Sequence, residues 1–332
     1  MKNIFIENKD ITFVVQGAID EKYITKCINS IIKYFKNSSI IISTWENEFV
    51  PDDVLAKVNK IIYNTDPGFC TRNCKPDGKP NNVNRQIVST INGMKEVKTK
   101  YAVKIRSDFI IKNNNFLKYF DNYNKFDNDY RIFEKRIVCA MFGTRKPKAV
   151  HYNLPFHIAD FFYFGQTQDL IKLFDIPLVT EEEFEWFIRY TDIMPDTNAR
   201  NRYNAEQSIW INCLKKQGVN VKCEYSTHVN NEIVEQSDKY LVNNFYPVAF
   251  ARLGVQPQKL NLKSKNHISD YSDYFTENEW LNIYSKYCDS EIRLHHSDVD
   301  RVSITLSNFL YEKFKNNKFI GKLIKSAFSR IF

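Results

Sequence analysis

No run of apolar residues in this 332-residue chain approaches the length needed to cross a bilayer, so a membrane-spanning helix is not expected. The opening stretch MKNIFIENKDITFVV puts Glu7, Lys9 and Asp10 where the apolar core of a secretory signal would have to lie, and a cytoplasmic location is expected. Cysteine occurs only seven times, an odd number that argues against a disulfide framework. Cys70 and Cys74 stand close together, but no second Cys or His pair follows at zinc-site spacing, and both read as ordinary thiols. No G-x-G-x-x-G follows the first apolar segment, which weighs against a nucleotide-dependent oxidoreductase. Internal repeats, low-complexity blocks and RNP-type motifs are also lacking, which weighs against a nucleic-acid partner.

What is present is enough for a folded core. Hydrophobic residues make up 43% of the chain and aromatic residues 15%, which excludes disorder and allows one extended α/β domain or about two smaller ones. The net charge of +8 favours a polyanionic partner: nucleic acid, an anionic membrane surface or a phosphorylated substrate.

The pattern along the chain is strand, helix, strand. ITFVVQGAI reads as a strand and turn, Ile24, Cys27, Ile28, Ile31, Ile32 and Phe35 recur at helical spacing, and SSIIISTW is a second strand, a start that predicts a parallel sheet covered by helices. After a long loop rich in Pro, Gly and Asn, Val83, Ile87, Ile91 and Met94 mark one face of a helix with Asn residues available to cap it. Further on, DFFYFGQTQDLIKLF predicts a strand, a Gly turn and a helix. NAEQSIWINCLKKQGVNVK predicts a helix ended by Gly218 and followed by a strand. Thr276 and Glu279 stand at capping-box spacing. In residues 301–332 an apolar stripe punctuated by Lys predicts either a terminal helix packed on the core or an amphipathic helix on an anionic leaflet.

One strand breaks the pattern. YAVKIRSDFII, residues 101–111, begins and ends apolar, yet side-chain alternation puts Lys104, Arg106 and Asp108 on one face. The preceding order of elements places this strand inside the sheet, where charges are tolerated only near the strand end at which open α/β sheets bind ligands. The loops after the first two strands and the start of the third helix converge on the same edge. Helix N-termini and cations there suit phosphate and a nucleotide. An ion pair between Arg106 and Asp108, with Lys104 snorkelling, is the competing reading.

The ordered run FVVQGAI, IIISTW, DPG, NVNRQIVSTINGM, KIRSD, RIF, ADFFYFG and AEQ resembles the WavE family of lipopolysaccharide and capsular polysaccharide biosynthesis proteins, over roughly residues 11–260. The resemblance implies an α/β, GT-A-like glycosyltransferase with a Rossmann-type, mostly parallel sheet flanked by helices. It implies a domain over residues 1–260, with a donor half of about 1–120 and an acceptor half of about 121–260, followed by a helical extension over 261–332 that ends in the basic tail. The implied function is transfer of a sugar from a nucleotide-sugar donor to a lipopolysaccharide or capsular acceptor, glycan or lipid-linked, with the enzyme peripheral on the inner face of the membrane.

In that family fold a D-x-D motif holds a divalent cation, Mn or Mg, on the donor diphosphate. Here RSD stands at the matching place, with Asp108 as the second acid and Arg106 replacing the first. Two readings stay open: Asp108 binds metal together with a residue such as His228, or Lys104, Arg106 and Arg85 neutralise the leaving phosphate without metal. Gln16, Asp20 and Trp45 are further donor-pocket candidates, with Trp45 placed to stack on a base. Asn84 and Arg85 open a helix where amides and a guanidinium meet phosphate. For the base that takes the acceptor hydroxyl proton, Asp160 ranks first and Glu206 second. The competing function is a basic polyanion- or nucleic-acid-binding module without catalysis.

Overall fold

The computed structural model describes residues 5–68, 81–149, 152–190, 200–259 and 273–292; the Cys70/Cys74 pair and the basic tail over 301–332 lie outside them. The chain alternates β1 (Ile11–Gln16), α1 (Glu21–Tyr34), β2 (Ser39–Trp45), α2 (Asp52–Leu55), β3 (Lys60–Asn64), α3 (Val83–Lys95) and β4 (Tyr101–Arg106). A short β5 (Phe109–Ile111), β6 (Ile137–Ala140) and β7 (Phe162–Gln166) lead into α4 (Thr167–Phe174) and two four-residue helices, α5 (Glu181–Phe184) and α6 (Trp186–Arg189). Then come α7 (Ala205–Lys216), α8 (Asn231–Asn244), β8 (Phe245–Val248), α9 (Phe250–Leu253), β9 (Val255–Pro257) and α10 (Glu277–Tyr287).

Seven strands form one sheet in the order β3-β2-β1-β4-β7-β6-β8. β1 to β4 are mutually parallel, β7 runs against both of its neighbours, and β8 is parallel to β6, so one strand alone is reversed. This is the mostly parallel sheet flanked by helices that the resemblance implies. β4 lies at its centre and is buried on both faces as far as Ile105, with Arg106 the first of its residues to reach the surface.

The two covering layers follow from the sequence periodicities. On one side Ile24, Cys27, Ile28 and Ile31 of α1 are buried, and Phe13, Phe35, Phe116 and Phe164 form a run of ring contacts 4.9–6.5 Å apart. Each buried ring of this kind contributes about 1.5–3 kcal/mol by leaving water. Ile32 departs from the predicted face and is exposed. On the other side Val83, Ile87, Ile91 and Met94 of α3 face β1 and β2. Asn81 starts this helix by accepting a hydrogen bond from Val83 N at 3.0 Å. At the far end, Thr276 and Glu279 form the predicted capping box of α10, whose Trp280 indole donates to Phe245 O at 3.1 Å.

Two local expectations change. Gly165 lies within β7 rather than in a turn after it, against Ile137 of the neighbouring strand, where a Cβ would be 3.4 Å from Ile137 Cγ1. The segment after Gly218 forms no strand, because Gln236 of α8 takes its backbone hydrogen bonds: Lys222 N donates to Gln236 Oε1 and Gln236 Nε2 donates to Asn220 O. No helix among the described residues is long and apolar enough to cross a membrane.

α3 sits unusually close to the sheet at Gly93, where an added Cβ would overlap Val14 Cγ1 and lie 3.1 Å from Ser43 Cβ. Val14 and Ser43 belong to the strands that carry the loops described below, so the fit of helix on sheet fixes where those loops end. Gly93→Ala is expected to lower unfolding stability by about 1–3 kcal/mol through overpacking, despite the better helix propensity of Ala. Urea denaturation of both proteins checks this; an equal or higher midpoint for the variant contradicts it.

Candidate active site

The carboxyl ends of β1, β2 and β4 open into a cleft of about 430 Å³, a size that suits a small-molecule ligand. Gln16 and Gly17 come from the end of β1, Trp45 from β2, and Asn82 and Arg85 from the start of α3; Arg106 ends β4 and Asp108 follows it. The lining is completed by Asp160 and Phe161 ahead of β7, Glu206 at the start of α7, and Lys259 just beyond β9.

Arg106 and Asp108 face each other across one turn. Arg106 Nε donates to Asp108 Oδ1 at 2.9 Å and Nη2 to Oδ2 at 2.8 Å, a two-pronged pair in which the Asp108 side chain is 6% exposed and that of Arg106 40%. The ion pair and the cleft position, alternatives at the level of sequence, therefore coexist. Burial works against the Arg106 charge; Asp108, with Asp160 and Glu206 nearby, more than offsets it and raises its pKa above the ordinary value. Two links hold the turn. Ser107 Oγ donates to Ala18 O at 2.9 Å, and Gln258 N donates to Asp108 O at 2.8 Å.

The other cations of the cleft also have acidic partners. Arg85 Nε donates to Asp66 Oδ1 at 2.8 Å, which ties the DPG stretch to α3 and lowers the Asp66 pKa through that hydrogen bond. Lys259 Nζ lies 2.9 Å from Asp20 Oδ2, while Asp20 Oδ1 accepts from Lys22 N to cap α1. Asp20 thus acts behind Lys259 and is not itself part of the cleft lining. Gln16 and Trp45 do line the cleft, nearly buried, with Gln16 Oε1 accepting from Ser89 Oγ at 2.7 Å.

Three more expected site residues stand elsewhere. Asn84 Nδ2 donates to Val179 O at 2.9 Å and its Oδ1 accepts from Val179 N at 2.8 Å, so this side chain pins the 179 segment and not a ligand. His228 is not brought to Asp108: it is outside the cleft lining, stacks on Tyr225 at 5.1 Å, and its Nδ1 already accepts from Glu224 N at 3.2 Å. Lys104 lies beneath the cleft, 0% exposed, with Nζ donating to the main-chain carbonyl of Asp160 and resting over the Tyr163 and Phe174 rings at 5.7 and 5.8 Å. Burial lowers its pKa to about 8, against the pull of Asp160.

Among the described residues the donors of the cleft do not fit a divalent cation. Both oxygens of Asp108 accept from Arg106, and no group of three or more His, Cys, Asp or Glu able to hold a metal occurs among the described residues.

The structure adds residues that motif reading passed over. Lys259 follows a three-residue strand with no motif of its own and arrives because β9 pairs antiparallel with β5, matching Pro257 to Phe109. His157, three positions before Asp160, places Nε2 3.5 Å from Glu206 Oε2. Its closeness to the ADFFYFG stretch was the only signal in the sequence.

The chain matches the WavE lipopolysaccharide synthesis family model over residues 11–306 and belongs to that family. Among solved structures, the apo-form glycosyltransferase GlyE of Streptococcus pneumoniae TIGR4 is similar at 9% identity and a TM-score of 0.34, over 82% of this chain. The match covers 59% of the GlyE chain, so this chain spans about three fifths of that protein's length. No curated protein matches.

The buried Lys104 gives a pH signature. Unfolded, it keeps its proton to about pH 10.5; folded, only to about 8, so between these values the unfolded chain binds more protons and stability contributed by this residue rises with pH. Wild type is therefore expected to gain on Lys104→Met, by an amount of the order of 3 kcal/mol, as pH rises from 8 to 10.5. Urea melts of both proteins across that range measure the difference. A constant difference contradicts the burial of a charged Lys104.

Proposed function

We propose that the chain is a glycosyltransferase that moves a sugar from a nucleotide-sugar donor onto a growing lipopolysaccharide or capsular polysaccharide acceptor. The observation that carries this reading is one cleft that gathers Arg85, Arg106 and Lys259 with the carboxylates of Asp160 and Glu206, at the carboxyl ends of parallel strands. Membership of a lipopolysaccharide synthesis family supports it.

The chemistry suits such walls. An oxygen lone pair of the acceptor hydroxyl forms a bond to the anomeric carbon, and the bond from that carbon to the donor phosphate breaks, leaving its electron pair on the diphosphate. Charge grows on that diphosphate, and cations already fixed in place stabilise it without reorganising. Arg106, half open to the cleft and held by Asp108, fills this role, with Arg85 and Lys259 at its sides. Trp45 and Gln16 receive the base. A carboxylate of the cleft, Asp160 or Glu206, takes the hydroxyl proton. In this reading residues up to about 120 hold the donor and those from about 121 to 260 present the acceptor. The enzyme works at the inner face of the membrane, and the Arg106–Asp108 fork supports stabilisation of the leaving group by side-chain cations instead of a metal.

A thermal-shift screen of nucleotide sugars tests the reading, since a ligand at 100 times its Kd adds about 2.7 kcal/mol to stability. At least one nucleotide sugar is expected to raise Tm, and EDTA to leave that shift in place. Arg106→Ala is expected to abolish the shift and to cut transfer by about 10²–10³-fold. Asp108→Ala follows it, because Arg106 then loses its anchor. A shift that requires manganese contradicts the metal-free account. Absence of any shift, with salt-dependent retention on a polyanion column, supports the polyanion-binding module in its place.

A further inference from the structure

The Asp160 and Glu206 carboxylates of the cleft are not equivalent. No side-chain hydrogen bond holds the Asp160 carboxylate among the described residues; its main-chain carbonyl, not its carboxylate, takes Lys104. Glu206 has a buried imidazole behind it, and the backbone decides which ring nitrogen faces it. His157 Nδ1 lies 2.9 Å from Gly143 O, and a carbonyl only accepts, so Nδ1 carries the hydrogen. Nε2, 3.5 Å from Glu206 Oε2, then carries a lone pair and no hydrogen.

The carbonyl that dictates this arrangement has little freedom to turn away. Gly143 has φ +92, a conformation that side chains rarely adopt, and a Cβ there would come within 3.1 Å of the Phe161 ring and 3.2 Å of Ala159 Cβ. Two more hydrogen bonds clamp the turn to the His157 segment: Arg145 N donates to His157 O at 3.0 Å and Ala159 N donates to Thr144 Oγ1 at 3.1 Å.

An imidazole lone pair facing a carboxylate is a contact completed by one proton. We propose that Glu206, backed by His157, is the group that receives the acceptor hydroxyl proton, with His157 as the positioning residue that accepts a hydrogen bond from the carboxylic acid so formed. In the transfer step the hydroxyl oxygen bonds to the anomeric carbon, the donor phosphate departs with the electron pair of the broken bond, and the proton passes to Glu206. The assignment deepens the glycosyl-transfer reading and rests on it. It moves the base from Asp160, the first candidate in the sequence, to Glu206.

The surroundings keep the His157 imidazole uncharged. Burial lowers the His157 pKa to about 3, reinforced by Arg145 and opposed by Asp160. Around Glu206 stand Lys104 and Arg106, two cations, and the Tyr163 hydroxyl, each within electrostatic reach.

The pair is testable without any substrate. In full-length protein carrying ¹⁵N-histidine, the His157 signals are assigned by their loss in His157→Gln, among six histidines. Across the pH range in which the protein stays folded they are expected to report hydrogen on Nδ1 throughout, with an Nε2 shift that moves as Glu206 takes up a proton and is flat in Glu206→Gln. Hydrogen on Nε2, or the same pH response in Glu206→Gln, overturns the pairing. In a transfer assay Glu206→Gln is expected to lose about 10²–10⁴-fold. His157→Gln places an N–H donor against the carboxylate, favours its charged form, and is expected to move the acid limb of the pH profile down by about one pH unit. A His157→Gln protein with wild-type melting and an unmoved acid limb overturns the role. If no nucleotide sugar binds at all, the glycosyl-transfer reading fails while the NMR result still decides the pair.

Discussion

The fork between Arg106 and Asp108 is the constraint on which the rest of the site depends. A carboxylate as buried as that of Asp108 is costly unless it is paired and hydrogen-bonded, and Arg106 satisfies both oxygens with two of its five N–H groups. The remaining donors stay with a guanidinium that cannot swing freely, at the mouth of the central strand. Each partner therefore supplies what the other lacks: Asp108 fixes a direction and Arg106 provides compensation. The same bidentate geometry leaves Asp108 poorly suited to holding a metal ion.

Around that fork the protein spends charge in pairs. Arg85 with Asp66 and Lys259 with Asp20 repeat the device on either side, each bringing a cation to the cleft and anchoring it from behind. Cations held this way give up little further freedom when an anion arrives, which is where preorganised sites gain over flexible surface charges. The sheet makes the arrangement possible. β1, β2 and β4 are parallel and in register, so their loops emerge together, and α3 packs closely enough at Gly93 to hold Arg85 beside them.

Most of the parallel half was legible in the sequence. Short continuous apolar runs, alternating with stripes at period 3.6, specify β1, α1, β2 and α3, and these elements follow from local patterning. Within the site, Arg106 and Asp108 were found by strand alternation. The same parity argument misplaced Lys104: it shares their face, but the loop carrying Asp160 covers it, and depth along a strand is set by what packs above, which local sequence does not encode. Asn84 failed for a similar reason, since a residue at a helix start can point either to the cleft or to Val179, about ninety-five positions away in the chain. Lys259 and His157 depend on the β5–β9 pairing and on the Gly143 turn, contacts between distant segments with no local signature. The expected strand after Gly218 was lost to a single side chain, Gln236.

The most direct measurement of the central claim is a crystal structure of the protein with a nucleoside diphosphate bound. The account predicts the diphosphate oxygens within hydrogen-bond distance of Arg106, with the Arg106–Asp108 fork intact. A diphosphate bound away from β4, or one bridged to Asp108 by a metal ion with Arg106 displaced, would contradict it.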